Sequence, residues 1–125
     1  DEKAKAAALE VLNLDGAVGL FPEGTRNKTN DVFLLDFKFG TVSMAQKTGA
    51  TIVPCALTGD YKFWSKNLMF RVGKPFKVGK EMDLAVANDK LYKEMEKLMK
   101  QNLKETNRTV EEELNSRCQD AKKKN

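Results

Sequence analysis

The chain has 125 residues, of which 41% are hydrophobic and 32% charged, with a formal net charge of +4. That is enough for one domain with a sizeable core, too apolar for a disordered chain, and without any apolar run near the roughly 20 residues that span a bilayer. The positive excess is modest and the Lys122-Lys123-Lys124 run supplies three of its charges, with no stacking-aromatic pattern for nucleic acid; a basic face of this kind suits anionic lipid or an acidic carrier protein.

Residues 3–13 are rich in Ala, Leu, Glu and Lys, which favour helix, with Ala8, Leu9 and Leu12 as its apolar face. Asn13 and Gly16 are the expected stops. Ala17 to Phe21 reads as a short buried strand, broken by Pro22 and Gly24. Residues 23–36 form a loop with turn formers Asn27, Asn30 and Asp31. Phe39 to Thr48 is an expected helix with Gly49 as its C-cap.

Thr51 to Leu57 is β-branched and apolar, so a second buried strand is expected there, followed by a turn at Thr58-Gly59-Asp60. A third strand is expected over Leu68 to Val72. Leu91, Met95, Leu98, Met99 and Leu103 fall at helical spacing, which predicts an amphipathic helix over 89–104. Thr109 followed by Glu112 has the form of a capping box and starts a last helix over 110–121. The final lysines read as solvated and frayed.

Residues 17–57 thus have the order of a βαβ unit with a right-handed crossover. Ligands of open α/β sheets gather at the carboxyl ends of strands, which is where Glu23 to Arg26 would stand. The fold class expected is α/β, a partial mixed β-sheet with flanking helices.

Within that frame the heptapeptide Phe21-Pro22-Glu23-Gly24-Thr25-Arg26-Asn27 carries the most chemistry. A guanidinium at Arg26 can take two phosphate oxygens at once. Gly24 lets the backbone approach a ligand, Thr25 adds a hydroxyl, and Glu23 can orient Arg26 or hold a substrate hydroxyl. On residue types alone, a surface turn with a Glu23–Arg26 ion pair is the more economical reading. Lys38 precedes a helix N-terminus that favours anions, although a snorkelling surface lysine accounts for it as well. Pro54 inside a strand marks an edge, a bulge or a bend, or a strand end that tolerates it.

The chain has no histidine. No Ser–His pair, His–Asp pair or metal-ligand cluster can form, and Glu23 and Asp36 have nothing that raises them above ordinary acidic residues. Cys55, in an apolar run, reads as a small core residue and Cys118 lies in a polar tail. A disulfide between them stays open, but a reducing setting is expected.

These residues resemble a family. Phe21-Pro22-Glu23-Gly24-Thr25-Arg26, then Phe37-Lys38-Phe39-Gly40, then Gly49-Ala50-Thr51-Ile52-Val53-Pro54-Cys55-Ala56, then Arg71-Val72-Gly73-Lys74-Pro75 are similar in order and spacing to the C-terminal part of the 1-acyl-sn-glycerol-3-phosphate acyltransferases. The resemblance implies transfer of an acyl group from a thioester to lysophosphatidic acid, giving phosphatidic acid. It implies that Glu23, Gly24, Thr25, Arg26 and Lys38 bind the acceptor phosphate, supported by Phe21, Pro22, Gly40, Val53 and Pro54. It covers residues 1–103 as part of an acyltransferase domain and leaves 104–125 as a helical or frayed basic tail.

The family's His-x-x-x-x-Asp motif, whose histidine is the proposed base, has no counterpart here. The resemblance therefore implies a truncated enzyme, inactive alone, and the start at Asp1 agrees with that expectation. It implies no cofactor and no metal, with acyl-coenzyme A or acyl-carrier protein as co-substrate. Lysophosphatidic acid and a membrane surface would be the partners, and nucleic acid would not. The intact enzyme would act at the cytoplasmic face of a membrane, this portion being soluble. A non-catalytic lysophospholipid- or phosphate-binding module is the alternative, and a piece completed by another chain is a third reading.

Overall fold

The computed structural model describes residues 2–28, 32–60 and 66–123, with side chains through Cys118. Its elements in chain order are α1 (Glu2–Asn13), α2 (Gly40–Thr48), β1 (Thr51–Ile52), β2 (Cys55–Thr58), β3 (Met69–Val72), β4 (Phe76–Lys77), α3 (Leu84–Glu105) and α4 (Val110–Lys123). Helices and strands mix as the sequence leads one to expect. The strands form two antiparallel pairs, β1 with β4 and β2 with β3.

Pro54 is the reason for two pairs. The apolar run from Thr51 to Leu57 was expected as one strand, but it is cut at Val53-Pro54. Proline has no N–H to give a ladder, so the chain bends and changes partner there. Before the bend Ile52 faces Phe76; after it Cys55 faces Val72 and Leu57 faces Phe70. The Pro54 carbonyl accepts from Gly73 N–H at 2.7 Å, which joins the two pairs. A β-carbon on Gly73 would stand 2.7 Å from Leu98 Cδ1 and 3.1 Å from Pro54 Cγ, so the glycine permits the close crossing.

The expected strand over Ala17 to Phe21 is absent. This stretch makes no ladder and is largely exposed, with Phe21 at 90%. An extended apolar segment becomes a strand only where a neighbour takes its amides, and no described strand lies alongside it. The βαβ unit and its crossover therefore do not form among the described residues.

The core is built around α3, whose Ala87, Leu91, Leu98 and Met99 meet Val42 and Ala45 of α2, Ile52, Ala56 and Val78. From the loop before α2, Leu34 and Phe37 join them. α3 starts at Leu84, earlier than the periodicity predicts, because Asp83 caps it: its carboxylate accepts from Ala85 N–H at 2.9 Å. α1 ends in a Schellman turn, with Gly16 N–H on the Val11 carbonyl and Asp15 at φ +61°. The left-handed residue is thus Asp15, not a glycine. Gly49 does take the left-handed position after α2.

Asn27 is buried and donates to the Val32 carbonyl at 2.6 Å. Asp1, Asn30, Asp31, Lys124 and Asn125 lie outside the described residues. Both cysteines are free thiols of intermediate burial. No described helix is long and apolar enough to cross a membrane.

Candidate functional site

The turn Phe21-Pro22-Glu23-Gly24 closes by a hydrogen bond from Gly24 N–H to the Phe21 carbonyl at 2.9 Å. Pro22 supplies the second position of that turn, where its fixed φ is suited. Gly24 has φ +71°, a conformation that other residues rarely take. The chain then leads directly to Thr25 and Arg26.

The second half of the site returns to this turn. Lys38 N–H donates to the Pro22 carbonyl at 3.0 Å. The Lys38 side chain lies over Gly24, so that a β-carbon there would be 2.9 Å from its Cδ and 3.2 Å from its Nζ. Glu23 is half-buried and its Oε2 accepts from Leu35 N–H at 2.9 Å. Pro22, Glu23, Gly24 and Lys38 are therefore joined by direct contacts. Lys38 leads into α2, which begins at Gly40 with no side-chain cap on its first turn.

Glu23 forms no ion pair with Arg26, contrary to the simplest sequence reading. Its carboxylate is engaged by a backbone amide, so it holds the loop rather than the guanidinium. Thr25 and Arg26 are exposed, and among the described residues neither side chain has a hydrogen bond or ion pair. An unpaired arginine keeps its full donor fork for an incoming anion. Phe21 is exposed, Pro22 half-buried, Gly40 exposed at the start of α2, Val53 exposed and Pro54 buried. Val53 and Pro54 stand at the strand bend and not at the turn.

An apolar groove of about 300 Å³ opens beside the turn. Leu12, Val18, Leu20, Met44, Ile52 and Met95 line it, and it reaches Pro22, whose carbonyl anchors Lys38.

The residues that hold this loop were not legible as site residues. Tyr92 Oη donates to the Leu34 carbonyl at 2.8 Å, and Asn88 Nδ2 donates to the Phe37 carbonyl at 3.0 Å. The Phe37 and Tyr92 rings meet edge to face at 5.1 Å. Burial raises the Tyr92 pKa above its ordinary value, and the negative charges of Glu96, Asp36 and Glu23 push it the same way. Each of these side chains grips a backbone carbonyl, which leaves no mark on the sequence. No cluster of His, Cys, Asp and Glu that could hold a metal ion occurs among the described residues.

Residues 1–58 match the family model described as Acyltransferase. That span contains the phosphate-binding candidates and their supporting residues, Phe21 to Arg26, Lys38, Gly40, Val53 and Pro54, whereas the Arg71 to Pro75 motif lies beyond it. A 1-acyl-sn-glycerol-3-phosphate acyltransferase of Borreliella burgdorferi is 40% identical over 70 residues, which are 56% of this chain and 27% of that protein. One of Cocos nucifera is 42% identical over 66 residues, 53% of this chain and 21% of that protein. A chloroplastic one of Arabidopsis thaliana is 44% identical over 54 residues, 43% of this chain and 15% of that protein. The chain thus spans well under a third of the length of the curated relatives it matches. No solved structure matches. Over residues 1–58 the chain is thus similar to the acyltransferase family, and over about half its length to curated 1-acyl-sn-glycerol-3-phosphate acyltransferases.

Proposed function

We propose that this chain carries the acceptor-binding side of an acyl transfer from a thioester to 1-acylglycerol-3-phosphate. One observation carries this reading above the others: Arg26, exposed and without a side-chain partner among the described residues, stands two residues after the Gly24 turn that Lys38 lies across. Two cations at such a turn suit a phosphomonoester, and Arg26 is the residue that can bind it through two oxygens. The apolar groove that reaches Pro22 suits the acyl chain of the same amphiphile. The names of the relatives agree with this acceptor.

In the reaction, the free glycerol hydroxyl attacks the thioester carbonyl. The tetrahedral intermediate then expels the thiol, and the hydroxyl proton leaves through a general base. Arg26 and Lys38 would hold the phosphate and so fix where that hydroxyl stands. Glu23 shapes the turn through the Leu35 amide. The chain has no imidazole, so a base of that kind comes from residues outside these 125. The donor, coenzyme A or acyl-carrier protein, and the membrane surface belong to that larger enzyme.

The same absence of histidine supports a second reading, a lysophospholipid-binding module without catalysis. Titration of the purified chain with 1-acylglycerol-3-phosphate tests the shared part. Saturable binding, weakened about tenfold or more by Arg26→Ala, is expected. No binding by the wild type would overturn the acceptor site, and binding untouched by Arg26→Ala would remove Arg26 from it. Acyl transfer by the homogeneous chain would overturn the claim that its base lies elsewhere.

A further inference from the structure

We propose that α4 is a positioning clamp on the acceptor loop, and that Arg117 is the residue through which it acts. The proposal rests on the acceptor-binding reading of the Gly24 turn and adds the element that controls it. Arg117 Nη1 donates to the Phe33 carbonyl at 2.9 Å, and its guanidinium carbon lies 5.5 Å from the centre of the Phe33 ring. The next residue, Cys118, donates through its thiol to the Lys28 carbonyl at 3.3 Å. One turn of α4 therefore grips the chain at both Lys28 and Phe33. Two residues beyond Phe33, Leu35 N–H bonds Glu23 of the site turn.

Arg117 is itself held. Its Nε donates to Glu113 Oε1 at 3.2 Å. Glu113 is 3% exposed, and its other oxygen accepts from Arg108 Nη1 and from Gly59 N–H. A buried carboxylate with two guanidinium partners is an expensive way to gain stability, since desolvation offsets most of the attraction. Apolar packing would do that better. What the arrangement supplies is geometry: a planar fork that fixes a carbonyl, a ring and a carboxylate at set angles. The positional chain is Gly59, Glu113, Arg117, Phe33, Leu35, Glu23. α4 lies outside the span that matches the family model, so this control belongs to the chain's own C-terminal part.

Coupling of this kind is reciprocal, so the experiment reads both ends. The full chain is compared with Arg117→Met by amide hydrogen exchange and by titration with 1-acylglycerol-3-phosphate. Arg117→Met should speed exchange of the Leu35 amide about tenfold while the α3 amides near Leu98 keep their protection. It should weaken the ligand about fivefold. Arg117→Lys keeps the charge and loses the fork, and should show the same changes at smaller size; it replaces the Met variant if the α3 amides show that one to be unfolded. Unchanged Leu35 exchange, or faster exchange with unchanged affinity, would overturn the clamp. If the wild type binds no ligand but Leu35 responds to the substitution, the clamp stands and the acceptor reading falls.

Discussion

Lys38 lies across Gly24, with its Cδ, Cε and Nζ at 2.9, 3.0 and 3.2 Å from where a β-carbon on that glycine would be. Gly24 also has φ +71°. Two separate demands therefore fall on one residue: a left-handed backbone and an open face for the lysine stem. They respond differently to substitution. The lysine is flexible and can swing aside at little energy, whereas the backbone angle cannot relax without undoing the turn.

Gly24→Ala should therefore destabilise the chain by about 1 kcal/mol, nearly all of it from the positive φ. The same loss should appear in a Lys38→Ala background, because the backbone term does not involve Lys38. Affinity for 1-acylglycerol-3-phosphate should fall in Gly24→Ala, since the amino group is displaced. Denaturant melts of the four proteins in that cycle check the first two statements. A stability loss that vanishes without Lys38 would show that the contact, and not the backbone, sets the requirement.

Tyr92 ties the acceptor loop to α3 and gives the fold an alkaline limit. Its folded pKa is raised above the ordinary 10.0, by burial first and then by Glu96, Asp36 and Glu23. Above pH 10 the unfolded chain loses this proton before the folded chain does. Its contribution is thus complete below that pH and is lost as pH rises through the folded pKa. Tyr92→Phe should lower stability near neutrality by about 1 kcal/mol through the lost bond to Leu34. It should also flatten the decline of stability above pH 10. Tyrosinate absorbance of wild type minus variant isolates Tyr92 from Tyr61; a midpoint at or below 10 in the folded chain would contradict the raised pKa.

How much of this could be read without coordinates depends on where each signal is stored. Helices announced themselves locally: apolar spacing marked α3, and Thr109 with Glu112 marked the start of α4, where Glu112 N–H does bond Thr109 Oγ1 at 3.2 Å. The ends were less legible: the left-handed backbone of Asp15 closes α1, and the Asp83 carboxylate opens α3 by accepting from Ala85 N–H. Strands need partners, and composition cannot name them. Thr51 to Leu57 was legible as extended, but its division at Pro54 follows from which neighbours take the amides on each side. Ala17 to Phe21 has the composition of a strand and no described partner. At the site, Gly24 and Lys38 were each legible and their contact was not. Arg117, Tyr92 and Asn88 were invisible there, since each recognises a carbonyl that any residue could provide.

Asn102 is fully buried and is the polar joint between α3 and the β2–β3 pair. Its Nδ2 donates to the carbonyls of Ala56 and Met69, both at 3.2 Å, and its Oδ1 accepts from Arg71 Nε at 2.9 Å. Arg71 is also paired with Glu105. Asn102→Leu keeps most of the volume but strands these groups in the core. It should destabilise the chain by about 2–3 kcal/mol, well beyond a typical surface change. Urea unfolding followed by far-UV circular dichroism measures this, and a loss under about 0.5 kcal/mol would mean that the three bonds add little.

Thr58 runs the other way. It is 1% exposed, at the end of β2 opposite Met69, and its Oγ1 has no hydrogen-bond partner among the described residues. A buried hydroxyl without a partner loses its water and gains nothing in return. Valine has nearly the same shape, exchanges that hydroxyl for a methyl group and suits a strand. Thr58→Val should therefore raise stability by about 1 kcal/mol, seen as a higher urea midpoint at unchanged slope. Thr58→Ser separates the two causes, since it keeps the orphaned hydroxyl and removes only the methyl. It should lower stability by about 1 kcal/mol through lost burial. If Thr58→Val were destabilising instead, the hydroxyl would have to be bonded in solution, and the site would hold a partner such as an ordered water beside β2.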